Sequence, residues 1–394
     1  MKKYSWPLMK NTIGFGEKLN LIKHIVFSDN FTQGKKVEEF EQAWSKWLGA
    51  KHSLYVTSGS TANFLLVAAI MEKYNLKKDD KVLLPACTWV TNINPIIQLG
   101  LKPIFCDINL IDFSFDIEDL NFIAKKHPDI KLIFVTHLLG FPAKNSVYKE
   151  IFPNALIIDD VCESHGCTDS FENRVGKNSL GATFSFYFGH HMSTIEGGMI
   201  STNDTELYDL MRMKRSHGLA RNSANFDKYV AKNPEIEKSF LFVTDGYNFR
   251  NTELGAVLGL SQLKKLDKFI QKRKDNYSHF VTAMNFTTNN FYPTFKINGN
   301  SSFCFQLIAR RKKVKQELIK KLEANKIEYR PIVGGNLLRQ PYLKGYEIET
   351  QKKFLNVDML HDNGIYIGNN QFINKKDIKK LQKILLEINN ETTI

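Results

Sequence analysis

Short apolar runs that alternate with helical segments constrain this chain more than any other feature. KVLLP from Lys81, KPIFCDI from Lys102, KLIFVTH from Lys131 and ALIIDD from Ala155 read as buried strands, and Asn92 to Leu99 and Ile117 to Lys126 read as helices between them. Strands apolar on both faces, interleaved with helices, predict an α/β fold with a mostly parallel sheet and helical crossovers. Ligands of such sheets collect at the carboxyl ends of the strands, so the residues there are the ones to weigh for function.

The first such end follows SLYV, Ser53 to Val56, which feeds directly into TSGSTANFLL. Small residues at a helix N-terminus leave backbone amides free to face an anion. Gly59, Ser60 and Thr61 form either a phosphate cup or an ordinary helix start capped by Ser58 or Ser60. Trp89, after the strand ending at Pro85, either stacks on a flat ring or packs in the core. Asp159 and Asp160 end ALIIDD, with Glu163 three residues on, and adjacent buried acids require a cationic partner for at least one. Ser185 lies in the strand of a later stretch, TFSFYFGHHMSTIEGGMISTND, which reads as strand, polar hairpin, strand. That hairpin carries His190 and His191 ahead of the glycine pair Gly197 and Gly198, an arrangement suited either to packing or to proton transfer.

The remaining segments complete the expectation. An irregular N-terminus precedes a helix from Gly34 to Leu48, on which Val37, Phe40, Ala43, Trp44, Trp47 and Leu48 recur at helical spacing. A helix from Asp204 to Ser216 leads into a long polar segment running from His217 to Glu253, and segments of that length serve function or an interface. A helix from Glu253 to Arg273 links two domains, followed by the strand FCFQLIARR, a helix from Val314 to Asn325 and a final amphipathic helix from Lys375.

Composition narrows the classes. A chain of 394 residues exceeds the roughly 250 to 300 at which single cores stop growing, so two domains are expected. No apolar run of about 18 residues is present and no signal-peptide core, so the reading is a cytoplasmic protein without membrane partners. The net charge of +13 is spread over helical segments with no basic block, which argues against nucleic acid and suits an anionic small molecule. Five cysteines without a CxxC pair indicate neither a disulfide framework nor a metal site.

The series SGSTAN, PACTWVTN, IIDDVCESHG, TFSFYFGHHMSTIEGG, RSHG and GYNFRNTELGAVLGLSQLKKL, in this order over nearly the whole chain, resembles the sugar aminotransferases. These enzymes use pyridoxal phosphate on a type I aminotransferase fold and act on nucleotide-linked keto sugars. The resemblance implies an N-terminal arm over residues 1–25, a large pyridoxal-phosphate domain over 26–260, and a linking helix with a smaller α+β domain over 261–394. One position departs from the pattern. Where the family places its Schiff-base lysine, this chain has His190, and an imidazole does not substitute for a lysine amine in that bond. Within the family this change marks the sugar 3-dehydratases, and EYRPIVGGNLLRQ and NGIYIGNNQ extend the likeness to the branch acting on GDP-linked sugars. A CDP-sugar branch carries an iron-sulfur cluster and needs a reductase. The later half of this chain has only Cys304, too few thiolates, so neither cluster nor reductase is expected.

The same resemblance implies roles. Asp160 pairs with the pyridine nitrogen, Glu163 with the ring hydroxyl, and Trp89 stacks on the ring. Gly59, Ser60, Thr61 and Ser185 hold the phosphate, and Asn248 reaches it from a second subunit of a homodimer. Arg250 and Arg330 are candidates for the anionic substrate or glutamate, and His217 for a place near the ring. Glutamate converts the cofactor to pyridoxamine phosphate, whose amine takes the C4 ketone of a GDP-4-keto-6-deoxy sugar, with mannose expected. His190 is then the base whose proton removal expels the C3 hydroxyl, with ammonia released at the end. Gly189, beside it, offers no side chain to the sugar, which leaves a heptose open as well as the hexose. The rivals are an aminotransferase using another lysine such as Lys177, and a non-catalytic sugar-nucleotide binder.

Overall fold

The computed structural model describes residues 4–295, 297–346, 348–349 and 353–391. Seven strands form the larger sheet: β1 (His52–Val56), β2 (Lys81–Pro85), β3 (Lys102–Cys106), β4 (Leu132–Thr136), β5 (Leu156–Asp160), β6 (Ala182–Ser185) and β7 (Gly198–Thr202). Their order is β1-β7-β6-β5-β4-β2-β3. The pairs from β6 to β3 are parallel, whereas β7 runs antiparallel to both β6 and β1. Every residue of β4 is buried, as expected of a strand covered by helices on both faces.

The antiparallel β7 has a direct consequence for the site. Ser185 pairs with Gly198, and Val56 also pairs with Gly198. The strap between β6 and β7, residues 186–197, therefore emerges at the end of the sheet where β1, β4 and β5 terminate. The expected strand, hairpin and strand are thus observed, with the two imidazoles at the carboxyl-end rim.

A second sheet, of β8 (Cys304–Ile308), β9 (Tyr329–Pro331) and β10 (Gly364–Gly368), has the order β8-β10-β9 and is antiparallel. The helix Glu253–Met284 packs on both the helix Lys35–Leu48 and the helix Lys375–Glu391. It continues a full eleven residues past the expected end at Arg273, because Tyr277, Phe280, Ala283 and Met284 keep burying one face.

Two further elements differ from expectation. The N-terminus, expected to be irregular, holds a helix from Phe15 to Phe27, started by Glu17 reaching back to the amide of Gly14 at 3.0 Å. Within this single chain Phe15, Ile22, Val26 and Phe27 remain mostly exposed. The long polar segment contains a short helix, Phe226–Lys232, and leaves Phe240 and Phe242 exposed. No helix among the described residues is long and apolar enough to cross a membrane.

Candidate active site

A cavity of about 410 Å³ opens at the carboxyl ends of β1, β4, β5 and β6. Gly59, Ser60, Trp89, Asp160, Glu163, Ser185 and His190 all line it, together with Met9, Thr136, Tyr187, Gly189, Glu196, Phe303 and Tyr366. Lysine is absent from its lining among the described residues. Lys177 donates to Asn173 at 2.9 Å and packs beside Gly49, away from this cavity.

The anion cradle is built by the start of the helix Gly59–Lys73. Ser58 is its cap, accepting from the Thr61 amide at 3.1 Å, while Thr61 Oγ1 takes the Ser58 amide at 3.0 Å and donates to the Ser58 carbonyl at 2.9 Å. Thr61 is thereby committed to the cap and does not line the cavity, so the two readings of this turn divide between residues. Gly59 and Ser60 face the cavity, and Ser185 faces them from β6. A Cβ added to Gly59 would lie 2.7 Å from the Ser185 Cβ and 3.0 Å from Cys162 Sγ, so only glycine lets helix and strand approach this closely.

Strand alternation separates the two adjacent acids. Asp160 turns into the cavity, where its Oδ2 accepts from Asn63 Nδ2 at 3.0 Å and its Oδ1 from the Cys162 amide at 2.9 Å. Asp159 turns the other way, accepting from Asn145 at 2.7 Å and from Ser179, with His137 Nε2 at 3.4 Å. Burial alone would raise the Asp159 pKa, but His137, Ser179 and Asn145 outweigh it and hold the carboxyl below its usual range. Asp159 is thus held by hydrogen-bond donors and the His137 ring, and the lysine or arginine partner that the paired acids led one to expect is not among its contacts with the described residues. Glu163 accepts from the Leu139 amide at 3.0 Å, and its carboxyl is pushed up to about 7, first by burial and then by the neighbouring Asp160.

His190 sits on the strap with its amide bonded to the Tyr187 carbonyl at 3.0 Å. Its Nδ1 is buried without a partner, leaving Nε2 as the ring nitrogen for the cavity. Burial, then the positive charge of Arg273, pushes its pKa down to about 3, so the ring is neutral at pH 7. His191 turns inward and donates to the Ser301 carbonyl at 2.8 Å. His165 packs against both, 6.2 Å from His190 and 5.4 Å from His191 between ring centres. Arg273 is buried beneath them and donates to the carbonyls of Phe303, at 3.0 Å, and Asn369.

Four expected residues lie elsewhere. Asn248 and Arg250 are exposed, 3.1 Å apart, with Arg250 bridged to Val56 and Asn248 to Ser216. His217 is exposed with φ at 65°, and Arg330 is exposed on β9, 3.4 Å from Glu328. None of the four lines this chain's own cavity. Trp89 is 55% exposed at the cavity, which rules out the core alternative. Sequence reasoning missed Asn63, although it lies inside the quoted SGSTAN run, because a polar residue in a helical pattern carries no sign of which strand it meets. It also missed Met9, Glu196 and Arg273, distant in sequence or buried in a long helix.

A cavity lined by a buried carboxylate, a glycine-built anion cradle, an exposed tryptophan and a second carboxyl suits a ligand that carries both an aromatic ring nitrogen and a phosphate. Pyridoxal phosphate carries both, and the sheet order with one antiparallel strand belongs to the enzymes that use it on the aminotransferase fold. Residues 15–385 match the DegT/DnrJ/EryC1/StrS aminotransferase family, and the chain belongs to that family. It is 35% identical, over 97% of its length and 98% of the relative's, to a GDP-4-keto-6-deoxy-D-mannose 3-dehydratase of Yersinia pseudotuberculosis. Two solved structures of GDP-4-keto-6-deoxymannose 3-dehydratase superimpose closely. One, a histidine-to-asparagine variant holding GDP-perosamine, has a TM-score of 0.90 at 32% identity, covering 97% of this chain and 100% of that one. The other, with a trapped pyridoxal phosphate–glutamate geminal diamine, has a TM-score of 0.88 at 31% identity, with the same coverages.

Proposed function

We propose that this protein is a coenzyme B6-dependent 3-dehydratase of a nucleotide-linked 4-keto-6-deoxy sugar, with GDP-4-keto-6-deoxy-D-mannose as substrate and glutamate as amino donor. The observation that carries this reading is His190 in a cavity shared with Gly59, Ser60, Asp160 and Ser185, with no lysine in its described lining. Bound as pyridoxamine phosphate, the cofactor would supply an amine for the sugar's C4 ketone and a ring that takes up electrons.

The protein's own groups do the rest. Asp160, aligned by Asn63 and the Cys162 amide, would keep the ring nitrogen protonated. Gly59, Ser60 and Ser185 would hold the phosphate at the helix N-terminus. Trp89 would cover the ring, and Glu163, protonated over part of the neutral range, would hydrogen-bond the ring hydroxyl. His190, neutral at pH 7, would accept at Nε2 the proton whose removal allows the C3 hydroxyl to leave. Glutamate supplies the two electrons of the deoxygenation, so the balance closes with 2-oxoglutarate, ammonia and the 3-deoxy-4-keto sugar as products.

A homodimer with shared sites is part of this proposal. It is supported by the exposed apolar face of the helix Phe15–Phe27 and by the exposure of Asn248 and Arg250 outside this chain's own cavity. Asn248 would complete the partner's phosphate site, with His217, Arg250 and Arg330 nearer the substrate. The free thiols of all five cysteines suit a reducing, cytoplasmic setting. The division into an arm, a large domain to residue 260 and a smaller domain beyond is proposed on the two sheets. The purified protein with pyridoxal phosphate, glutamate and GDP-4-keto-6-deoxymannose should release ammonia. Accumulation of a 4-amino sugar instead would make it an aminotransferase.

A further inference from the structure

The N-terminal arm closes the cavity against the strap that carries His190. It is anchored on the smaller sheet: the Trp6 carbonyl accepts from the Glu328 amide at 2.9 Å, and Trp6 Nε1 donates to the Gly368 carbonyl at 2.9 Å. The Leu8 amide donates to Glu328 Oε2 at 3.0 Å, and the Leu8 backbone crosses Gly368 so closely that a Cβ there would lie 2.3 Å from the Leu8 carbonyl oxygen. The next residue, Met9, is thereby delivered into the cavity lining.

Its thioether meets Gly189. A Cβ built on Gly189 would lie 2.2 Å from Met9 Sδ and 2.9 Å from Met9 Cε. Gly189 is not among the glycines with positive φ, so its backbone does not require glycine. What excludes a side chain at 189 is the space already filled from the arm, about 180 residues away in sequence. A methionine side chain is long and flexible, so a residue introduced at 189 would push the thioether aside sooner than disrupt the strap.

We propose that Met9 and Gly189 are a compensating pair forming the sugar-facing wall beside His190, with Met9 a specificity-determining residue. This rests on the cavity being the site of nucleotide-sugar dehydration. The pair gives the wall next to the base an apolar, polarisable surface. Strong hydrogen bonds to the sugar are then left to other parts of the cavity, and water is kept from the base.

A double-mutant cycle over Met9→Ala and Gly189→Ser tests this, read as KM for GDP-4-keto-6-deoxymannose and, in a His190→Asn background, as calorimetric Kd for the same sugar nucleotide. Gly189→Ser should weaken both on the order of tenfold, because the displaced thioether enters the sugar's space, and the added Met9→Ala should bring both back to within about threefold of the parent. The glutamate step, followed by cofactor absorbance, should change less than the sugar step. Additive effects, or equal effects on both steps, would overturn the pair. A wild type that converts no nucleotide sugar would instead overturn the reading on which the pair rests.

Discussion

Asn63 Nδ2 donates to Asp160 Oδ2 at 3.0 Å, while Asn63 Oδ1 accepts from Thr183 Oγ1. The helix that builds the anion cradle thus also aims the carboxylate, so both ends of the cofactor site are set by one element. Asn63→Ala should leave Asp160 less well oriented in a buried place, a cost of about 1 to 3 kcal/mol for an unsatisfied partner. The expected outcome is pyridoxal phosphate bound about tenfold or more weakly, measured by absorbance titration. Unchanged affinity would show that Asp160 needs no such support.

His190→Lys should suppress dehydration, since a lysine there recreates the residue the family uses for transamination. A loss of about 10² to 10⁴ in ammonia release is expected for a missing general base. Retention of full dehydratase activity would contradict the role of His190.

The cofactor-free protein should lose stability as pH falls below about 6.5. His165, His190 and His191 all have pKa values lowered by burial first, with positive charge nearby adding to it. The unfolded chain therefore takes up protons that the folded chain resists, and each histidine costs up to about 1.4 kcal/mol per pH unit in that window. Denaturant midpoints at pH 5.5 and 7.5 check the sign. Bound phosphate and carboxylates should raise His190 again, so the loaded enzyme should be less acid-sensitive.

Glu163 acts in the opposite sense. Its folded pKa near 7 lies above the ordinary carboxyl value, so its contribution to stability declines as pH rises from about 4.5 to 7. Glu163→Gln removes that decline, and its melting temperature relative to wild type should improve between pH 5 and pH 8. A constant difference would mean that Glu163 is not perturbed.

If Asn248 completes a partner's site, His190→Asn and Asn248→Asp proteins, each impaired alone, should complement after mixing and subunit exchange. Random pairing leaves roughly a quarter of the sites with neither defect. No recovery despite exchange would place Asn248 outside the shared site.

The strands were legible in the sequence because buried parallel strands are apolar on both faces, and KVLLP and ALIIDD fall where they were read. That Gly59, Ser60, Asp160, Ser185 and His190 gather at one cavity follows from strand ends, a small-residue turn and a hairpin at the carboxyl-end rim, whereas the roles given to them rest on the family resemblance. The helix Phe15–Phe27 was not, since its apolar residues face outward and its start rests on Glu17 reaching back to Gly14. Neither was β10, a five-residue GIYIG strand with glycine at both ends and little periodicity. Thr61 shows a different limit: the turn was recognised, but the division of its hydroxyls between cap and cavity depends on side-chain direction. Met9 and Asn63 depend on contacts between distant segments, which local pattern does not encode.

The most direct test of the central claim is the fate of nitrogen and oxygen in one reaction. With pyridoxal phosphate, ¹⁵N-glutamate and GDP-4-keto-6-deoxymannose, labelled ammonia should appear in step with a nitrogen-free sugar nucleotide that has lost one oxygen atom. A labelled 4-amino sugar that retains its C3 hydroxyl would contradict the assignment of His190 as the base of a dehydratase.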